Sequence, residues 1–172
     1  MYLLICFSSF AQLEAGNFKV TPEGRVNWQK VYENTNVSFD DLLNTVNANT
    51  NFSDIQVKEN KITFLGSGIK TDPSALGFSR LSTAFYALGD IKAFFTIDYK
   101  EGRYRVTAVN INCLVPEGNL GTGQITYKYD PIEESVGNGK GLKKGFIKKE
   151  SVIMNHAIEK QLKIVKETDD NW

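Results

Sequence analysis

The chain has 172 residues, of which 41% are apolar and 23% charged, and its twenty Lys and Arg residues balance twenty Asp and Glu residues. This composition is typical of a globular domain, and the zero net charge argues against a dedicated nucleic-acid binder. One histidine and two cysteines exclude a multi-histidine metal site and a disulfide framework within one chain.

The N-terminal segment has the pattern of an export signal. An apolar run over residues 1–7 precedes small residues at Ser9 and Ala11, the spacing found before a signal-peptidase cut. We therefore predict a signal peptide over residues 1–11, a mature chain that starts at Gln12, and a periplasmic or secreted location.

Two features of this segment leave alternatives open. No Lys or Arg precedes Lys19 and the apolar run is short, which a start codon upstream of Met1 would explain. The alternatives are a buried N-terminal strand and a lipoprotein acylated at Cys6.

No stretch reaches the ~20 apolar residues of a transmembrane helix, so the chain is not predicted to span a membrane.

The first predicted elements are a strand and a helix. Apolar and polar residues alternate over residues 25–32, which indicates a half-buried strand. Ser38 followed by Asp41 forms a capping-box-like start for a helix. Its apolar stripe has helical spacing and comprises Phe39, Leu42, Leu43 and Val46.

The first of two predicted hairpins turns at residues 59–60. A two-residue loop there places Val57 opposite Ile62 and Ile55 opposite Phe64, with all four on one face of the sheet.

The second predicted hairpin turns at residues 101–102, and both of its faces support the same register. One face pairs Asp98 with Arg105 and Thr96 with Thr107, which are favourable cross-strand partners. The other face is apolar and is predicted to meet the helices through Phe95, Ile97, Tyr99, Tyr104, Val106 and Ala108.

The remaining segments are two loops and a helix. Residues 71–90 are loop-like but contain several apolar residues, so we expect an ordered excursion that covers apolar surface. Residues 116–145 are rich in glycine, with a possible edge strand at residues 124–129. Residues 148–166 predict a second helix, whose stripe comprises Met154, Ile158, Leu162 and Val165.

The element order is strand, helix, four strands, helix. Because both helices are amphipathic, both are expected on one face of the sheet, which gives a two-layer α+β domain with an antiparallel sheet. We place this single domain at residues 18–168 and a frayed tail at residues 169–172.

The second hairpin resembles a known family. Residues 97–111 read IDYKEGRYRVTAVNI, and they look like the hairpin of the domain-of-unknown-function family 4468, which is described as having a TBP-like fold. The resemblance extends over residues 18–112, includes Trp28, Val31 and Tyr32, and weakens from Leu114 onward. It implies a TBP-like fold and export. It supplies no catalytic residue, because the family has no assigned activity.

No catalytic, cofactor-binding or metal-binding residue is predicted. The glycines of residues 116–145 lack P-loop spacing, and a lone helical histidine, His156, is expected at the surface. Cys113, the one thiol left after removal of a signal peptide, is expected to be buried. A basic run could hold an anionic surface or a nucleic acid, although a solvated loop is favoured: Lys140, Lys143, Lys144, Lys148 and Lys149.

The outer sheet face supplies the candidate partner surface. Period-two alternation places four apolar residues there: Phe94, Val109, Ile111 and Leu65. Soluble monomers seldom leave such a patch bare, so we expect the excursion to cover part of it through Leu81 or Phe85 and a partner to bind the remainder.

These observations favour an exported, non-enzymatic domain that binds an unknown protein or small ligand, and no cofactor or nucleic acid is expected. The alternative is a carrier that holds a small hydrophobic ligand in a cavity between sheet and helices. A hydrolase that uses two carboxylates is a third hypothesis.

Overall fold

The structure is a computed structural model that describes residues 14–33, 36–119, 124–137 and 141–164. The predicted signal peptide at residues 1–11, the start at Gln12, the tail at residues 169–172 and Val165 lie outside the described residues.

One antiparallel sheet organises the chain. Its strands follow the order β1-β2-β3-β7-β6-β5-β4, and β8 also pairs with β7. The strands are β1 Glu14–Ala15, β2 Phe18–Val20, β3 Val26–Glu33, β4 Phe52–Lys58, β5 Lys61–Lys70, β6 Asp90–Lys100, β7 Arg103–Asn119 and β8 Gln124–Pro131. The 17-residue β7 pairs with β3 through its first half and with β8 through its second half.

The described residues form three α-helices beside the sheet: α1 Phe39–Ala48, α2 Ile132–Val136 and α3 Ser151–Gln161. The predicted capping box is confirmed, because the Asp41 amide donates to Ser38 Oγ (3.1 Å) and the Ser38 amide donates to Asp41 Oδ2 (2.8 Å). Three 3-10 turns lie between β5 and β6, at Ser74–Leu76, Arg80–Ser82 and Phe85–Ala87. A π-helical turn, Phe146–Glu150, leads into α3.

The core lies between one face of the sheet and the helices. The buried Leu42 and Val46 of α1, and Met154 and Ile158 of α3, belong to one cluster with the inward-facing side chains of the strands. The expected two-layer α+β arrangement is thus confirmed. The C-terminal end of α3 also meets the segment after α1, where Asn51 Nδ2 donates to Gln161 Oε1 (3.0 Å).

The second hairpin has the predicted register. Tyr99 pairs with Tyr104 and Asp98 pairs with Arg105, as do the remaining predicted partners. Phe95, Ile97, Val106 and Ala108 are buried against the helices. The register was predictable because favourable pairs lie on both faces of the hairpin. A shift of one residue in either strand would have moved that strand's apolar side chains to the solvent-facing side.

The first hairpin is only partly as predicted. Val57 does pair with Ile62, but β4 is an edge strand and Val57 is 49% exposed. The pairing shifts between Ser53 and Gln56, next to the positive φ of Asp54. The predicted Ile55–Phe64 pair falls on this irregularity, and Phe52, which the pattern did not single out, enters the core instead.

Ile111 was wrongly placed on the outer face. It is fully buried, because a bulge interrupts the pairing of β6 with β7 between Lys92 and Phe94. Asn110 takes up the extra position with φ +51°, so Val109 points outward and Ile111 points to the core. Simple alternation fails across such a bulge.

The N-terminal hairpin and the helix ends also differ from expectation. Strands β1 and β2 were not predicted, yet Phe18 of β2 is fully buried and its ring lies 5.2 Å from that of Phe146. The last helix ends at Gln161 rather than at residue 166. Two- and three-residue strands are too short to show a period in the sequence.

Candidate functional site

Three of the four predicted surface residues form one row on the outer face. Leu65 pairs with Phe94, and Phe94 pairs with Val109, so the row crosses β5, β6 and β7. Phe94 is 38% exposed and the other two are half-buried. The row is therefore a modest apolar strip, and Ile111 lies on the other side of the sheet.

The excursion does not cover this strip through the residues we expected. Leu81 is fully exposed, and Phe85 is 69% exposed. The segment instead packs toward β7 and the π-helical turn, where the ring of Tyr86 lies 6.5 Å from that of Phe146. Both apolar side chains are thus left in solvent.

A second apolar surface follows the outer face of the β7–β8 pair. Ile125 and Tyr127 of β8 lie opposite Gly118 and Pro116 of β7 and are 51% and 65% exposed. Tyr129 continues the same alternation, and burial raises the pKa of its phenol. Every second residue of β8 is apolar, and because successive side chains of a strand point to opposite faces, these residues lie on the same side as the excursion.

These two segments enclose a groove of about 500 Å³. Phe85 and Arg80 line it from the excursion, and Ile125 and Tyr127 line it from β8. Leu88, Leu114 and Pro116 complete its apolar lining. We refer to this site as the Phe85–Tyr127 groove.

A close backbone approach holds the excursion against β7 beside the groove. A Cβ atom at Gly89 would stand 1.9 Å from the carbonyl oxygen of Leu114, which no side chain could accommodate. Glycine at this position therefore lets the excursion lie directly against β7.

The charges around the groove are few. Arg80 and Glu117 contribute to the lining, and Glu117 is bound by Lys128 (3.1 Å), which also reaches Asp130 (3.3 Å). Hydrogen bonds to Glu117 and Asp130 raise the pKa of the Lys128 ammonium group. The groove therefore offers an apolar surface with a rim of mixed charge.

One edge of β8 has no strand partner among the described residues, because β8 pairs only with β7 there. An unpaired edge presents backbone N–H and C=O groups that an added extended segment can bind. The apolar residues of β8 alternate along this edge.

A second concavity, of about 250 Å³, lies near the turn of the second hairpin. Its lining includes Asp98, which binds Arg105 (2.9 Å) and Lys61 (3.2 Å). Burial alone would raise the pKa of Asp98, but these two hydrogen-bonded cations outweigh it and the pKa is lowered. An ionised, paired carboxylate of this kind stabilises the hairpin and is a poor general acid.

Other reactive side chains lie where the sequence predicted. His156 is exposed, whereas Cys113 is buried, and burial raises the pKa of its thiol to about 12. Across the described ranges, no group of three or more His, Cys, Asp or Glu side chains could hold a metal ion. In the same ranges, no helix has the length and apolar character needed to cross a membrane.

Sequence reasoning missed the groove although it found both of its walls. The strand at residues 124–129 was expected, but its pairing with the second half of β7 was not. The available signal was the alternation of Ile125, Tyr127 and Tyr129, which is strong for an apolar strand face. The sequence could not predict that this apolar face of β8 is exposed, because exposure depends on which other segments pack against the strand.

Comparisons with known proteins relate the chain to two solved structures. A TBP-like protein from Parabacteroides distasonis is 16% identical, with a TM-score of 0.49 over 82% of this chain and 92% of that protein. A DUF4468 family protein from Bacteroides ovatus is also 16% identical, with a TM-score of 0.44 over 87% and 84% of the two chains. No family model matches the chain, and no curated protein matches it. The descriptions of the two solved structures match the family and the fold that the second hairpin resembles.

Proposed function

We propose that this chain is an exported, non-enzymatic binding domain that holds an apolar segment of a partner protein in the Phe85–Tyr127 groove. One observation carries the proposal: three large apolar side chains, Phe85, Ile125 and Tyr127, flank one groove and are 51–69% exposed. Apolar clusters of this kind, bordered by charged residues, are typical of interaction sites.

The composition of the groove supports a protein partner. Aromatic side chains such as Phe85 and Tyr127 contribute much of the binding free energy at protein interfaces, where they fill desolvated pockets. Covering each of these side chains would be worth roughly 1.5–3 kcal/mol before the costs of association are subtracted. Because three side chains supply at most about 9 kcal/mol before those costs, further contacts such as backbone pairing must contribute to a micromolar affinity.

The free edge of β8 supports an extended conformation for the bound segment. A strand added to this edge would gain backbone hydrogen bonds, and its alternate side chains would lie beside Ile125 and Tyr127 on the same face of the sheet. Backbone pairing gives affinity, and the apolar groove gives selectivity for large apolar side chains.

The carrier hypothesis requires space between the sheet and the helices. In that region the ring of Phe64 lies 4.4 Å from that of Phe52 and 5.3 Å from that of Phe95, so packed rings occupy the interior near β4–β6. A small hydrophobic ligand would fit better in the open groove. Native mass spectrometry of freshly purified protein would reveal such a ligand as a discrete added mass.

Site-specific photo-cross-linking tests the proposal. A photoreactive phenylalanine analogue at Tyr127 should give a discrete cross-linked product in cells that export the protein. The matched control is the same analogue at Val57, an apolar residue of similar exposure on the opposite edge of the sheet. The product should disappear when Phe85→Ser and Ile125→Ser are introduced. Equal products at both positions, or a product that survives the two substitutions, would refute the proposal.

Export is the other part of the proposal and has its own test. The apolar segment before the small residues Ser9 and Ala11 supports it, and a buried, protonated Cys113 thiol is compatible with an oxidising compartment. N-terminal sequencing of the periplasmic or secreted protein should begin at Gln12. Exported protein that retains Met1 would contradict the proposed cleavage.

A further inference from the structure

We propose that the exposed Leu81 tip and the lysines of the basic segment that contacts this turn form a second surface, which shares only Arg80 with the groove and binds membranes containing anionic lipids. The surface consists of Leu81 with Arg80, Lys144 and Lys148. It would place Leu81 in the interfacial region of the bilayer and the cations at the headgroups.

Leu81 projects from a turn that the structure holds firmly. It lies in the 3-10 turn Arg80–Ser82 and is fully exposed. The buried Thr83 donates through its hydroxyl to the Ser79 carbonyl oxygen (2.8 Å), and the Ser82 amide donates to the same oxygen (3.3 Å). Because the Leu81 side chain is fully exposed, it could enter a lipid bilayer without any loss of packing in the protein.

The basic segment lies against this turn. Lys149 Nζ donates to the Ser82 carbonyl oxygen, one residue after Leu81. The adjacent Tyr86 and Phe146 rings, with centroids 6.5 Å apart, join the same two segments. The tip and the π-helical turn are therefore in direct contact.

The cations beside the tip are available to an outside partner. Lys144, Lys148 and Arg80 are exposed, and none has a carboxylate partner among the described residues. The acidic side chain of the π-helical turn, Glu150, is buried and meets Lys149 (3.5 Å). The exposed side chains of Arg80, Lys144 and Lys148 therefore present positive charge, although the whole chain is neutral.

A membrane accounts for both parts of the surface. Exposed cations near an anionic bilayer each strengthen binding, and a protruding leucine adds apolar burial that headgroup contacts alone do not provide. A nucleic acid would use the cations and leave Leu81 in water. The fully exposed leucine is the observation that favours the membrane.

Vesicle co-sedimentation tests this surface with the purified chain. We expect binding to vesicles of equal parts phosphatidylglycerol and phosphatidylcholine, weaker binding at high salt, and much weaker binding to phosphatidylcholine alone. Leu81→Ser should weaken partitioning roughly tenfold. The double variant Lys144→Gln, Lys148→Gln should weaken it roughly 30-fold. Since all three side chains are exposed, the variants should keep the wild-type unfolding midpoint.

The opposite end of the sheet provides matched controls. Lys58 and Lys100 are exposed and lack a carboxylate partner in the described part of the chain. They flank the two hairpin turns, and the ten residues of β5, roughly 33 Å in length, separate these turns from the Leu81 tip. Val57→Ser and the double variant Lys58→Gln, Lys100→Gln should therefore leave partitioning unchanged.

Three results would overturn the inference. They are the absence of binding to the anionic vesicles, equal loss in the control variants, and tighter binding to a DNA duplex that Leu81→Ser does not alter. Tyr127→Ser, which removes a wall of the groove, should leave vesicle binding intact. Failure of the membrane surface is thus distinguishable from failure of the groove.

Discussion

Replacing Asn155 with Ala should destabilise the protein by about 2 kcal/mol. Its side-chain oxygen accepts from the indole N–H of the fully buried Trp28 (2.9 Å) and from Asn17 (2.6 Å), and its amide donates to Glu159 (2.8 Å). Removing the acceptor leaves a buried indole N–H unpaired, at a cost of about 1–3 kcal/mol. Glu159 keeps its ion pair with Lys30 (2.6 Å), and alanine's helix propensity offsets about 0.5 kcal/mol.

Urea unfolding followed by far-ultraviolet circular dichroism measures this cost. His156→Ala is the matched control, because His156 is the next residue of α3 but is exposed, and it should change stability by less than about 0.5 kcal/mol. In a Trp28→Phe background, which lacks the indole N–H, the cost of Asn155→Ala should fall by about 1 kcal/mol or more. Equal stability of Asn155→Ala and His156→Ala would refute the reasoning.

Three further predictions concern the excursion, the thiol and the hairpin. Gly89→Ala should destabilise the protein by about 1–3 kcal/mol in urea unfolding, because its Cβ would overlap the Leu114 carbonyl oxygen; wild-type stability would contradict the close approach. Cys113 should react with a thiol reagent at pH 8 only after denaturation, since it is buried and its pKa is about 12; rapid labelling of the native protein would show that the site opens. The pKa of Asp98 is lowered, so its contribution to stability is present above the ordinary carboxyl pKa of about 4 and is lost as the pH falls through the lowered value. The stability difference between wild type and Asp98→Asn, measured by urea unfolding, should therefore shrink from pH 7 to pH 3, and a constant difference would argue against the ion pairs with Arg105.

The sequence predicted the parts of the fold in which several independent signals agree. The second hairpin combined an apolar face with Asp98 opposite Arg105 on the other face, and its register is confirmed. The helix that follows Ser38 combined a capping box with a regular apolar stripe, and its start is confirmed. In both segments, local preference and burial favour the same structure.

Prediction failed where a single backbone conformation changes the pattern. Asn110 adopts a positive φ and adds one residue to β7, which turned Ile111 from a surface candidate into a core residue. Asn tolerates this conformation better than most residues, but fifteen asparagines in the chain give no means of choosing this one.

The candidate site was harder to predict than the fold. Phe94, Val109 and Leu65 do lie together on the outer face, so the row was predictable from register. The Phe85–Tyr127 groove depends on the contact of the excursion with β7 at Gly89, which joins segments distant in sequence. No local pattern encodes such a contact.

The most direct test of the groove is the affinity of the partner captured by cross-linking. Isothermal titration calorimetry should give a Kd at least 100-fold weaker for the double variant Phe85→Ser, Tyr127→Ser than for the wild type, because two exposed aromatic anchors are removed. Val57→Ser should bind with wild-type affinity. Unchanged affinity in the double variant would contradict the central claim that this groove is the partner-binding surface.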